Sequence, residues 1–245
     1  MSHHVVAVQD LEYAYPDGTP ALRGVSFTIP HGESVGIVGA NGAGKSTLLM
    51  HLSGCLLAQK GTVRVGDDVV SRATLGRVRR SVGMVFQNPD DQLFMPTVGE
   101  DVAFGPINLG LGAEEVERRV AAALATVDAG HLRERPPYRL SGGEKRAAAI
   151  ASVLALEPDV LVMDEPTSGL DPRARRHLIR LLRTFPHTKM IASHDLDLVL
   201  DLCPRTLVVH QGRIQADGPT AAILRDAALL EACHLELPLS LQGRV

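Results

Sequence analysis

Four short, nearly unbroken apolar runs recur along the chain, and each gives way to polar residues: SVGIVG at 34–39, VGMVFQ at 82–87, VLVMDE at 160–165 and KMIASHD at 189–195. Runs of that length without polar alternation suit strands buried on both faces, as in a parallel sheet covered by helices. In open sheets of this kind ligands collect beyond the carboxyl ends of the strands. The polar residues closing each run therefore predict an active site assembled from several loops at one sheet edge. The first run leads through a Gly-rich turn into KSTLLMHLSG, which reads as a helix.

Between 88 and 158 the pattern changes to helical spacing, with Val116, Val120, Leu124 and Val127 in step and an Ala-rich stretch EKRAAAIASVLALEP after them. This block predicts a helical subdomain inserted into the α/β core. Residues 5–29 and GTVRVGDDVV alternate loosely and predict an antiparallel β layer, and TLVVHQGRIQADG predicts a hairpin turning at Gln211 and Gly212. From Pro219 the tail predicts a short helix with an extension. The expected organisation is a single domain, with 1–87 and 159–218 as core and β layer, 88–158 as helical subdomain and 219–245 as tail.

Composition narrows the function without naming it. With 45% apolar and 22% charged residues in 245, the chain has the balance of a globular protein with a substantial core. No apolar run approaches the roughly 18 residues of a membrane span, and the N-terminus lacks the basic and apolar regions of a signal peptide, so a cytosolic protein is expected. A net charge of −3, no Trp and 3% aromatic residues argue against a nucleic-acid partner. Cys55, Cys203 and Cys233 lack CxxC spacing and are expected to be reduced, buried thiols.

The candidate chemistry begins with GANGAGKST at 39–47, which satisfies GxxxxGK[ST] in the strand and helix context that motif requires. Glycines let the loop curl so that its N–H groups face a polyphosphate at a helix N-terminus. Gly39, Asn41, Gly42, Ala43, Gly44, Lys45, Ser46 and Thr47 are thus candidate nucleotide-binding residues. Lys45 would bridge the β and γ phosphates, and Ser46 would ligate Mg²⁺. In VLVMDE, Asp164 is a candidate Mg²⁺ residue and Glu165 a candidate for orienting an attacking water or accepting its proton. The competing reading is an acidic pair that only caps the turn PTSGLDP. LSGGEKR at 140–146 supplies a second helix N-terminus able to meet an anion, one that a second copy facing head to tail would bring to the first copy's phosphate loop.

LSGG followed by VLVMDEPTSGLD resembles the nucleotide-binding subunits of ABC transporters, over essentially the whole chain. The resemblance implies a RecA-like P-loop NTPase core in the ABC ATPase fold, with two copies closing around two Mg²⁺-ATP. It implies that Tyr15 stacks on adenine, although Tyr13 is close by and either ring could serve the core. Gln87 would contact Mg²⁺ and the water while sensing the membrane partner. Ser141, Gly142 and Gly143 would clamp the γ-phosphate bound by the opposite copy, Asp171 would couple the two sites, and His194 would contact the γ-phosphate. Glu144 stands where the family commonly has Gln.

Rival users of the same engine fit less well. Repair and chromosome ATPases split it with long coiled coils or zinc modules, for which too few residues separate Lys45 from Leu140, and translation-type members usually join two engines in one chain. QNPDDQLFMPTVGEDVAFGP, together with HDLDLVLDLC, is similar to the energy-coupling-factor and cobalt/nickel importer ATPases. That implies uptake of cobalt or nickel, or alternatively a vitamin, at the cytoplasmic face of the membrane. The implied partners are a second copy or a paralogous ATPase, a membrane scaffold and a substrate-binding membrane subunit. Within this segment Asp90, Asp91 and Gln92 read as a partner-facing rim on an extended loop, beside an apolar patch of Leu93, Phe94 and Met95. The alternative is burial of those three residues inside the subdomain.

Overall fold

The computed structural model describes residues 5–243. The N-terminal and C-terminal ends of the predicted core and tail, 1–4 and 244–245, lie outside these described residues. The chain opens with β1 (Val6–Ala14) and β2 (Pro20–Ile29), then β3 (Ser34–Val38), α1 (Lys45–Leu52), β4 (Lys60–Val65), β5 (Asp68–Val69), α2 (Leu75–Ser81) and β6 (Val82–Val85). The helical block holds α3 (Val98–Asn108), α4 (Ala113–Thr126) and α5 (Gly142–Leu154). After it come β7 (Val160–Asp164), α6 (Pro172–Thr184), β8 (Thr188–Ala192), α7 (Leu196–Leu202), β9 (Arg205–His210), β10 (Arg213–Pro219), α8 (Thr220–Ile223) and α9 (Ala227–Ala232).

The four apolar runs become β3, β6, β7 and β8, neighbours in a six-stranded sheet of order β10-β9-β3-β8-β7-β6 in which only β10 runs antiparallel. Their unbroken hydrophobicity follows from period-two side-chain alternation between two cores. Val160 and Val162 of β7 pack with the β layer, whereas Leu161 and Met163 pack with the helices. The second sheet, β2-β1-β4-β5, is antiparallel, as the loose alternation predicts. In α4, Val120 and Leu124 are buried and Val116 is packed against the same core. The tail forms two short helices rather than one.

The predicted turn at Gln211 and Gly212 is present, both residues having left-handed φ angles of 48° and 76°. Its tip does more than reverse the chain. The Gly212 N–H donates to the Ala43 carbonyl at 2.9 Å, and the Gly212 carbonyl accepts from Arg23 N–H at 2.8 Å. A Cβ on Gly212 would lie 2.7 Å from the Ala21 carbonyl oxygen, so only glycine fits this joint between the hairpin, β2 and the phosphate loop.

Three expectations for the segment after β6 are corrected. Pro89–Asp91 is a turn of 3-10 helix, not an extended loop, with the Asn88 side chain accepting from Asp90 N–H at 3.2 Å. Gln92 faces inward: its amide donates to the Ala149 carbonyl at 2.7 Å and to Ser152 Oγ at 2.9 Å, while its oxygen accepts from Phe86 N–H. Leu93 is buried, whereas Phe94 is 62% exposed, so the supposed patch divides between them. Cys55 is exposed, contrary to the expectation of three buried thiols, while Cys203 and Cys233 are buried.

Candidate active site

The loops that follow β3, β6, β7 and β8 meet at one sheet edge. Tyr15, Asn41 to Thr47, Gln87, Asp164 and Glu165 line a cavity of 360 Å³ there. Gly39 shapes the loop from behind, since a Cβ on it would sit 2.2 Å from the Val209 carbonyl oxygen. Gly42 and Gly44 take left-handed φ angles of 76° and 108°, and Gly44 precedes α1 without any side-chain cap. The first-turn N–H groups of α1 are left to a ligand, which favours an anion.

Lys45 is buried, and its ammonium donates to the carbonyls of Gly39 at 2.7 Å and Ala40 at 3.2 Å. Burial pushes its pKa below the ordinary lysine value, while Glu165 and Asp164 pull it back. The Asp164 carboxyl is raised, chiefly by burial, against a hydrogen bond from Ser46 and the charges of Lys45 and Arg146. Asp164 Oδ1 is buried with no hydrogen-bond partner. An orphaned carboxylate oxygen beside a serine hydroxyl, with Gln87 on the same cavity, is an oxygen donor set of the kind that suits Mg²⁺ with phosphate oxygens and water completing the shell. Ser46, Gln87 and Asp164 therefore fit the metal.

Glu165 directly follows β7 in a left-handed conformation, φ 46°, which costs a non-glycine residue about 1–2 kcal/mol. That twist brings its buried carboxylate under the end of β8. It accepts from Ser193 Oγ at 3.1 Å and from His194 N–H at 3.0 Å, and His194 Nδ1 lies 2.7 Å from Oε2. The His194 ring is 67% exposed, anchored to Glu165 at one nitrogen and open to solvent at the rest. Glu165 is thus held by Ser193 and His194, which weakens the reading of a simple turn cap. Tyr15 and Tyr13 also separate. The Tyr15 hydroxyl is 2.8 Å from Thr47 Oγ1 on the cavity wall, while Tyr13 packs edge-on against both Tyr15 and the buried ring of His51.

Ser141, Gly142 and Gly143 do not reach this cavity. Ser141 and Gly143 line a separate one of 510 Å³ together with Asp171, whose side chain caps α6 by accepting from Arg173 and Ala174 N–H groups. Glu144 closes a capping box on α5, accepting from Ser141 N–H and Oγ at 2.8 Å each. Its carboxyl is held below the usual range by those bonds.

Sequence reasoning passed over Arg146. This residue of α5 is 3% exposed, and its guanidinium donates to the carbonyls of Phe86 at 2.7 Å and Gln87 at 2.5 Å. One side chain thereby ties the helix that carries Ser141 to the segment that carries Gln87. Its only sequence signal is a charge inside an Ala-rich helix, which reads equally well as a solvated face. Lys145 beside it pairs with Asp90 at 2.6 Å.

A protein-family model described as ABC transporter matches residues 22–168. The sequence is 65% identical to a Geobacter sulfurreducens protein named as a candidate ABC transporter ATP-binding protein, across 99% of this chain and 98% of that one. It is 48% identical to the energy-coupling factor transporter ATP-binding protein EcfA of Methanothermobacter thermautotrophicus, covering 96% of this chain and 77% of the relative. Among solved structures, CbiO1 of Clostridium perfringens, described as part of the ABC transporter complex CbiONQ, superposes with a TM-score of 0.81 at 37% identity over 94% of each chain. A dimeric ATP-binding cassette in a post-hydrolysis state with ADP and Pi superposes with a TM-score of 0.80 at 25% identity over 88% of this chain and 98% of that one.

Proposed function

The chain belongs to the ABC transporter family and is an ATPase, and from that premise we propose that it energises an energy-coupling-factor importer that takes up cobalt or nickel through a membrane scaffold. The observation that carries the importer reading is the likeness to CbiO1 along nearly the full length of both chains, and the choice of cobalt or nickel rests on the resemblance of the 86–106 segment to the cobalt/nickel importer ATPases. A vitamin importer is the second reading, since the resemblance to energy-coupling-factor ATPases implies either substrate class. The proposed place is peripheral, on the cytoplasmic face, by the likeness to ATP-binding subunits of transporter complexes; among the described residues no helix is long and apolar enough to cross a membrane.

In the proposed mechanism two copies, or this chain and a paralogue, close around two nucleotides. The glycines and N–H groups of the phosphate loop cradle the polyphosphate, and Lys45 turns from its carbonyl partners to the β and γ phosphates. Mg²⁺, when bound by Ser46, Gln87 and Asp164, supplies charge neutralisation on the phosphates. Glu165 orients the attacking water and accepts its proton, with His194 fixed beside it toward the γ-phosphate. Ser141, Gly142 and Gly143 of one copy clamp the phosphate held by the other, and Asp171 joins the two sites. Tyr15 provides the adenine wall. Little covalent work is asked of the protein, because positioning and electrostatics carry phosphoryl transfer.

The helical block 88–158 is the proposed arm that links nucleotide and membrane. Phe94, 62% exposed, packs edge-on against Phe104, 43% exposed, and Ile107 on the same helix is 59% exposed. With the exposed Asp91 beside it, this apolar surface is the proposed scaffold-facing patch. The test is to co-express the chain with the membrane proteins of its own operon and measure accumulation of labelled cobalt, nickel, biotin and riboflavin in vesicles with and without ATP. Retention of a vitamin alone would replace the metal reading, and uptake that ignores ATP would end the energising role. In the same vesicles Glu165→Gln should stop hydrolysis while leaving ATP bound.

A further inference from the structure

Beyond the residues already placed, one carboxylate gathers three segments next to His194. Asp195, next to His194, accepts a bidentate pair from Arg175, with Nε at 2.7 Å and Nη2 at 3.1 Å. The same side chain caps α7 by accepting from Leu198 N–H at 2.9 Å and receives the Thr167 hydroxyl at 3.4 Å. Thr167 lies on the loop after Glu165, and Arg175 lies on the first turn of α6, just past Asp171. The Asp195 N–H in turn donates to Ser193 Oγ at 3.0 Å, and that hydroxyl donates to Glu165 Oε2 at 3.1 Å. A continuous path of hydrogen bonds thus runs from α6 through Asp195 and Ser193 to the Glu165 carboxylate.

We infer that Arg175 and Asp195 are positioning residues that hold the Glu165–His194 pair in register with the start of α6. Backbone bonds from Glu165 N–H to the Ala192 carbonyl and from Ser193 N–H to the Ile37 carbonyl fix the strand ends, and the Asp195 side chain adds bonds to the loop after β7 and to α6 and α7. A planar, two-pronged guanidinium fixes both distance and angle, which a single lysine ammonium cannot do. The pair is only partly buried, 29% and 21% exposed, so its contribution to folding is small and its geometric role can be separated from it. Asp171 and Glu165 move together as a result, which couples the dimer-facing loop to the residue that handles the water.

This inference rests on the assignment of Glu165 and His194 to hydrolysis, and the experiment separates the two. Steady-state ATPase of the purified full chain is measured for Arg175→Ala, Arg175→Lys, Asp195→Asn and Glu165→Gln, each with a nucleotide-binding titration and a thermal melt. Asn is as good a helix cap as Asp, so Asp195→Asn keeps α7 capped while removing the charge. Misplacement of a catalytic group by about 1 Å costs about 100-fold. Arg175→Ala and Asp195→Asn should therefore lower kcat about 10- to 100-fold, with KM for ATP within about twofold of the parent. Arg175→Lys should recover part of the loss. Unchanged kcat in Asp195→Asn and Arg175→Lys overturns the inference, as does a fall in which KM and melting temperature move in parallel with kcat. Should Arg175→Ala not fold, the other two variants decide. If Glu165→Gln itself hydrolyses ATP at the parental rate, the assignment of the catalytic pair fails instead.

Discussion

Replacing Arg146 by Met tests whether one buried guanidinium holds the Ser141 helix to the Gln87 segment. The change deletes two charge-assisted hydrogen bonds, at 2.7 and 2.5 Å, each worth about 1.5–3 kcal/mol. Part of that loss is offset. Met fills a similar volume, the desolvation that pushes the Arg146 pKa down disappears, and the freed Gln87 carbonyl lies on an exposed residue where water can reach it. A net loss of about 2 kcal/mol follows, which for a chain of this length lowers the melting temperature by about 4–8 °C. The effect on turnover should be larger than stability alone accounts for. Without its tether Gln87 is free to drift, and a shift of about 1 Å costs about 100-fold in kcat. Arg146→Lys keeps the charge but cannot fork to both carbonyls, so it should fall between parent and Met variant. The assays are a melt by circular dichroism and phosphate release at saturating ATP. A Met variant with parental kcat and a melting temperature within about 1 °C would refute the argument, since a loss that small leaves no room for either hydrogen bond.

The remaining predictions use other parts of the molecule. His51 is fully buried with Nδ1 2.7 Å from the Thr47 carbonyl, and burial depresses its pKa below 6.5, so its contribution to stability is complete above 6.5 and is lost as pH falls through the lower folded value. Melting temperatures measured from pH 8 down to pH 5 should decline through that window, and His51→Gln should flatten the decline. Thiol titration of the native protein should find Cys55 reactive, whereas Cys203, pushed up to about 12 by burial, and Cys233, also raised, should react only on unfolding. Phe94→Ser should leave ATPase of the isolated chain unchanged within about twofold yet prevent co-purification with the membrane scaffold, because it removes exposed apolar surface and an edge contact with the exposed ring of Phe104. Intact co-purification would count against the proposed patch.

Much of the core was legible because its physics is local and repetitive. Strands buried on both faces are apolar along most of their length, with polar residues such as Ser34, Asp164, Thr188 and Lys189 at their ends, so β3, β6, β7 and β8 stand out in the sequence, and a glycine-rich loop between strand and helix has few other uses. The 86–106 segment was harder. A single turn of 3-10 helix at Pro89–Asp91 leaves no periodicity to detect, yet it rotates Gln92 inward onto Ala149 and Ser152, residues far away in sequence. Arg146 escaped for the same reason: its partners, Phe86 and Gln87, are reached only after α5 packs against the end of β6. Cys55 was misjudged by residue type, since the average thiol is buried and this one follows α1 on an exposed turn.

The joint at Gly212 bears on how nucleotide leaves. Its N–H holds Ala43 in the phosphate loop while its carbonyl holds Arg23 in β2, and the Ala21 carbonyl closes against both Gly212 and Gly44. Tyr15 stands just ahead of β2 and is bonded to Thr47. The proposed grips on base and phosphate are therefore tied to each other through β2 and the hairpin tip. On the proposed function, base and phosphate should therefore let go together, and the timing of each cycle would fall to the separation of the proposed second ATPase subunit, copy or paralogue.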